Sequence, residues 1–88
     1  MPKFLAVHTI PKLKKDRWLN VANEMAPKLP KGFSWSLTYC DFENSKFFCI
    51  WEAPDRKQLD AGIKDLFIPV DAVYPVEVFN VAKLEFES

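Results

Sequence analysis

Two stretches of this chain follow the same plan. From Lys46 to Val81 an aromatic strand, a proline and an aspartate ahead of a helix, an amphipathic helix and a second strand succeed one another directly. Lys3 to Cys40 also runs strand, helix, strand, and the polar turn Asp41 to Ser45 joins the halves as a hairpin. The result is a βαββαβ order. A chain of 88 residues is too short to divide a core in two, so both halves must share one. We expect a single domain over residues 1–82. Residues 83–88 form a C-terminal tail that extends a strand or reaches a second subunit as a dimer arm.

Lys3 to Ile10 alternates Phe4, Ala6, His8 and Ile10 against Leu5, Val7 and Thr9, the pattern of a strand covered on both sides. In the first helix, Lys15 to Ala26, Trp18, Val21, Ala22 and Met25 fall on one stripe, and Pro27, Pro30 and Gly32 end it. Phe33 to Cys40 reads as an edge strand with Phe33, Trp35, Leu37 and Tyr39 on its apolar face. Lys46 to Glu52 is apolar on both faces and therefore central. Asp55 and Gln58 have capping-box spacing ahead of a stripe of Leu59, Ile63, Leu66 and Phe67. Gly62 lies inside that second helix, where glycine costs about 1 kcal/mol relative to alanine. Close approach of a neighbouring helix explains it better than a ligand. Ala72 to Val81 is the last strand, and Pro75, which has no amide for a ladder, puts it at an edge.

These elements fit an α+β, ferredoxin-like fold, an antiparallel sheet in the order 4-1-3-2 with both helices on one face. The other face would then carry Phe4, Phe47, Trp51 and aromatic residues of the second strand. A patch of that kind marks an interface or a ligand groove. The expectation is a homodimer joined face to face into a dimeric α/β barrel, with about 800 Å² buried per partner.

Charge excludes some partners. Twelve basic residues cancel twelve acidic ones, so there is no long-range pull toward nucleic acid or an anionic membrane. The basic cluster Lys12, Lys14, Lys15 and Arg17 is interrupted by Asp16 and reads as a solvated helix entry. The opening residues alternate like a strand and lack the long apolar region and cleavage site of a secretion signal, and no run is long enough to span a membrane. A cytoplasmic location follows, with Cys40 and Cys49 as reduced thiols.

Few residues carry chemistry. His8 is the only histidine, and its alternation puts it on the face of Phe4 and Ala6, beside Cys49 or Trp51 of the neighbouring strand. Imidazole and thiolate suit zinc, nickel or copper, and Tyr39 and Glu52 offer oxygen, so the candidate metal ligands are His8, Cys49, Tyr39 and Glu52. Neither C-x-x-C nor H-x-x-x-H spacing supports a structural metal centre, and a hydrogen-bonded His8 within an interface is the plainer alternative. Cys49 also reads as a small core hydrophobe, and Glu52 as a partner for nearby basic residues. Trp35, Tyr39, Phe47 and Trp51 make either an aromatic box for a planar ligand or a dimer seam. With two glycines there is no phosphate loop, and neither a G-x-S-x-G elbow nor a Ser-His-Asp set is present.

The run Trp51-Glu52-Ala53-Pro54-Asp55, following Cys49 and the Tyr39 strand, and the later Ile68-Pro69-Val70-Asp71-Ala72-Val73 resemble a family of small ferredoxin-like proteins of largely unknown function. That family includes a bacterial nickel-binding protein. The opening Pro2-Lys3-Phe4-Leu5 and Ile10-Pro11 are similar to its start. The resemblance implies the same fold and makes nickel the first metal to consider. The chain departs from the family at Gly62, where many relatives carry a histidine, and at Val7 and His8, where they carry acidic or basic residues.

Three functions are compatible with these features. The first is a non-enzymatic dimer that binds a transition metal such as nickel, or a small ligand, on the open sheet face through His8, Tyr39 and Cys49. The second is a cofactor-independent oxygenase or isomerase acting on an aromatic or polyketide-like substrate with His8 as general base. The third is a purely structural or interaction module.

Overall fold

The computed structural model describes residues 2–87 apart from Phe67. Strand β1 (Lys3–Thr9), helix α1 (Lys15–Met25), strands β2 (Ser34–Asp41) and β3 (Lys46–Glu52), helix α2 (Arg56–Asp65) and strand β4 (Ala72–Val76) follow in that order. The four strands form one antiparallel sheet ordered β2-β3-β1-β4. This is the ferredoxin-like arrangement. Strands β1 and β3, apolar on both sides, occupy the centre as their sequences require.

The two faces are not distributed as the sequence suggested. In both central strands every second residue is buried: Phe4, Ala6 and His8 in β1, and Phe47, Cys49 and Trp51 in β3. Phe4, Cys49 and Trp51 pack with Leu59 and Ile63 of α2 and Val73 of β4, so this is the helix-covered face and not the open one. Alternation sorts residues into two sets but does not say which set meets the helices. The bulkier aromatic set fills the deeper layer. The open face carries Leu5 and Val7 of β1, Phe48 and Ile50 of β3, and, through cross-strand pairing, Leu37, Tyr39 and Tyr74.

Strand β2 also departs from simple alternation. Trp35 pairs with Trp51, yet Leu37 pairs with Ile50, so Ser36 is an extra residue, a bulge. The four aromatic and aliphatic residues expected on one face are therefore divided. Trp35 lies on the helix side and stacks on Trp51 at 5.5 Å, whereas Leu37 and Tyr39 lie on the open side.

Helix α2 starts where its cap predicts. Asp55 accepts a hydrogen bond from the Gln58 amide at 2.8 Å, and the Gln58 side chain donates back to the same carboxylate at 3.2 Å. Leu59, Gly62 and Ile63 are its buried residues, and Leu66 is half-buried at the C-cap; Phe67, assigned to the same stripe, lies outside the described residues. Gly62 does answer a close approach, but the neighbour is not a helix. A Cβ there would sit 2.5 Å from the Phe33 ring and 3.4 Å from Pro30.

Helix α1 is different. Its stripe of Trp18, Val21, Ala22 and Met25 faces the sheet, but none of these residues is fully buried. The helix stands off the sheet over a cavity. Strand β4 ends at Val76, earlier than expected, and the chain then forms a small separate hairpin, β5 (Phe79–Asn80) with β6 (Glu85–Phe86). Asn80 accepts the Lys83 amide at 3.1 Å to close its turn, and the Phe79 and Phe86 rings meet edge to face at 5.0 Å.

Candidate functional site beneath helix α1

The cavity encloses about 450 Å³ between α1, the end of α2 and the covered face of the sheet. Phe47, Cys49 and Trp51 of β3 and His8 of β1 form its floor. Trp18, Val21 and Met25 wall it on the α1 side, and Leu66, Ile68 and Pro69 on the other. Glu24, Lys28 and Asp65 contribute charge to its lining from the ends of the helices. The aromatic residues brace one another: Trp18 stacks on Phe47 at 5.2 Å and meets Trp35 edge-on at 5.9 Å. Stiff side chains hold the floor open while α1 spans above it.

His8 is the polar centre of this floor and is only 1% exposed. Its Nδ1 lies 2.6 Å from the Pro69 carbonyl oxygen. A carbonyl can only accept, so the proton is on Nδ1, and Nε2 presents a bare lone pair. Nε2 is buried and has no partner among the described residues. Burial lowers the imidazole pKa, outweighing the opposing effects of the Pro69 bond and of Asp71, so His8 is neutral at physiological pH. The Trp51 indole N–H is the second buried polar atom without a partner. An acceptor and a donor are thus both unused, on two covered residues that line one cavity.

Cys49 lies on the same floor but is chemically quiet. Its sulfur accepts from the Thr38 hydroxyl at 3.2 Å, and that hydroxyl accepts from the Trp35 indole at 2.7 Å. Burial pushes the thiol up to about 11, so it stays protonated and is a poor metal ligand or nucleophile. Cys40 is also a free thiol, raised by burial.

A family model, nickel responsive protein SCO4226-like, matches residues 4–76. The chain belongs to this family. The match ends at the last residue of β4, so the β5–β6 hairpin lies beyond it. No curated protein and no solved structure matches the chain.

The family name puts nickel to the test on the donors present. His8 and Cys49 face the helices, whereas Tyr39 and Glu52 lie on the open side, with Tyr39 opposite Phe48 and Glu52 next along β3 from the inward Trp51. The thickness of the sheet separates the two pairs. Among the described residues, no three His, Cys, Asp or Glu side chains are placed to share a metal ion. With a protonated thiol and one imidazole, the donors among the described residues of a single chain do not fit nickel. Of the aromatic box, Trp51 and Phe47 line the cavity and Trp35 stands behind them, while Tyr39 is on the far side, 64% exposed. The remaining walls were missed from the sequence. Trp18, Val21 and Met25 were legible as a stripe, but nothing local marked them as facing a void. The Pro69 carbonyl, which fixes the imidazole, carries no sequence signal at all.

Proposed function

We propose that this protein is a non-enzymatic binding protein that takes a small organic molecule into the cavity beneath α1. The observation that carries this reading is the neutral, unpartnered His8 imidazole in the floor of an aromatic cavity of ligand size. Binding fits the site better than catalysis. No second imidazole lines the cavity beside His8, and the Cys49 thiol, held protonated by burial, supplies no nucleophile. The lowered pKa also makes His8 a weaker base than a free imidazole.

The protein acts, in this reading, as a homodimer joined through the open sheet face, closing a dimeric α/β barrel. Leu37, Tyr39 and Tyr74 are 45%, 64% and 53% exposed there, around the half-buried Leu5, Val7, Phe48 and Ile50. A contiguous apolar face of this kind on a small domain favours a partner of matching shape, and a second copy supplies one. Nickel enters only at this level. A response to nickel through this chain needs donors from outside it, and pairing on the open face would double Tyr39 and Glu52. Among the described residues no helix is long and apolar enough to cross a membrane. Together with the balanced charge, this supports the cytoplasm as the place of action, without nucleic acid as a partner.

The test of ligand binding uses 2-methylnaphthalene as probe and backbone amide NMR as readout. Shifts confined to Val21, Met25, Leu66 and Ile68, abolished when Val21→Phe fills the cavity, are expected. An unperturbed spectrum, or shifts mapped to Leu37 and Tyr39 instead, refutes the site.

A further inference from the structure

We infer that the cavity is built for a neutral, mainly apolar molecule carrying a hydrogen-bond donor, a phenol or an N–H heterocycle, seated with that donor on His8 Nε2. The inference rests on the reading of the cavity as a ligand site and names the chemistry it selects. Its first support is the fixed tautomer. Pro69 holds the proton on Nδ1, so Nε2 can accept but not donate, and a ligand whose polar atom only accepts gains nothing there.

The second support is independent of the first. Only two buried side-chain polar atoms lack partners among the described residues, His8 Nε2 and Trp51 Nε1, and both belong to residues lining this one cavity. Folded chains satisfy nearly all such atoms, so two orphans on residues of one lining point to a group that reaches them when the thin cover over the floor gives way. A hydroxyl group offers both a donor and an acceptor.

The third support is the lining. The half-buried Trp18, Val21, Met25, Leu66 and Ile68 present apolar surface over a floor of fully covered Phe47 and Trp51 rings, which suits a flat apolar body. A carboxylate or phenolate would set its charge against the bare lone pair of a neutral imidazole, the unused Trp51 N–H being a neutral donor that offsets little of it, and the lining cation, Lys28, is accompanied by Glu24 and Asp65. Anions are therefore disfavoured. A cation has no carboxylate in the floor to receive it.

The experiment compares 2-naphthol with 2-methylnaphthalene, molecules of one shape that differ in the donor, by titration of tryptophan fluorescence. With the native chain, 2-naphthol is expected to bind about tenfold more tightly, the value of one buried hydrogen bond to a neutral acceptor. In His8→Phe, which keeps a ring and removes the acceptor, the preference should collapse to about onefold. A parallel measurement needs no variant: lowering the pH to protonate His8 replaces the acceptor by a donor, and the preference for 2-naphthol should fall with it. Equal binding of both probes to the native chain, or a preference that survives His8→Phe and the drop in pH, overturns the inference while leaving the cavity a ligand site. Failure of both probes to bind overturns the ligand reading itself.

Discussion

Replacing Gly62 with alanine separates two effects that usually agree. Alanine in a helix interior is worth about 1 kcal/mol over glycine, so on propensity alone Gly62→Ala should stabilise α2. The structure reverses the sign. The new methyl carbon would stand 2.5 Å and 2.9 Å from two atoms of the Phe33 ring and 3.4 Å from Pro30. Comfortable carbon contacts begin near 3.5 Å, so the ring must retreat by about an ångström. Phe33 is packed against the core and its amide is tied to the Pro30 carbonyl at 3.1 Å, so it has little freedom to do so. Overpacking of this kind costs about 1–3 kcal/mol. Against the helix gain, the net expectation is a loss of about 1 kcal/mol, or a fall in Tm of about 4–8 °C for a domain of this size. Urea unfolding of four proteins decides the matter: native, Gly62→Ala, Phe33→Leu and the double variant. In the Phe33→Leu background the ring is gone, and the same alanine should stabilise by up to about 1 kcal/mol. A raised midpoint for Gly62→Ala in the native background, or the same sign in both backgrounds, would refute the steric account.

Other consequences can be checked alongside. Asp55→Ala removes the acceptor of the Gln58 amide and should cost about 1 kcal/mol in urea unfolding, with Asp55→Asn keeping most of it. Leu59→Ala, at a fully buried position of α2, should cost about 2–5 kcal/mol, and a loss below about 1 would contradict the packing described. Because the folded state holds the His8 pKa below its ordinary 6.5, the unfolded chain takes up the proton first as pH falls. The native chain should therefore lose stability over the pH range just below 6.5, and His8→Phe should lose less; parallel pH profiles would refute this. Tyr39→Glu places a charge on the open face and should convert a homodimer into a folded monomer by sedimentation velocity, whereas a dimer that persists would move the interface elsewhere.

Much of the fold was legible because it rests on local signals. The paired strand-helix-strand order, the D-x-x-Q cap of α2, the two-sided apolarity of β1 and β3 and the edge-marking Pro75 all agree with the sheet order observed. The site was less legible, for two physical reasons. A period of two puts His8 with Phe4 and Ala6, and Cys49 with Trp51, but gives both faces equal standing, and the choice is made by helices far away in sequence. The bulge at Ser36 then exchanges the sides of β2 without any glycine to announce it, which parts Tyr39 from Trp35. The tautomer of His8, the feature on which the chemistry turns, depends on a backbone oxygen 61 residues away.

The edges of the sheet govern how copies of this chain can meet. On β4, Pro75 removes an amide from the outer ladder; on β2, the extra residue at Ser36 breaks the regular spacing of the other. Strand addition at an edge is open-ended, since each added copy exposes a fresh edge for the next, and that is the geometry of filaments. Contact through a face is self-terminating, since two copies use up the surface that attracted them. If copies pair through the open face as proposed above, the spoiled edges leave that association to stop at a finite number.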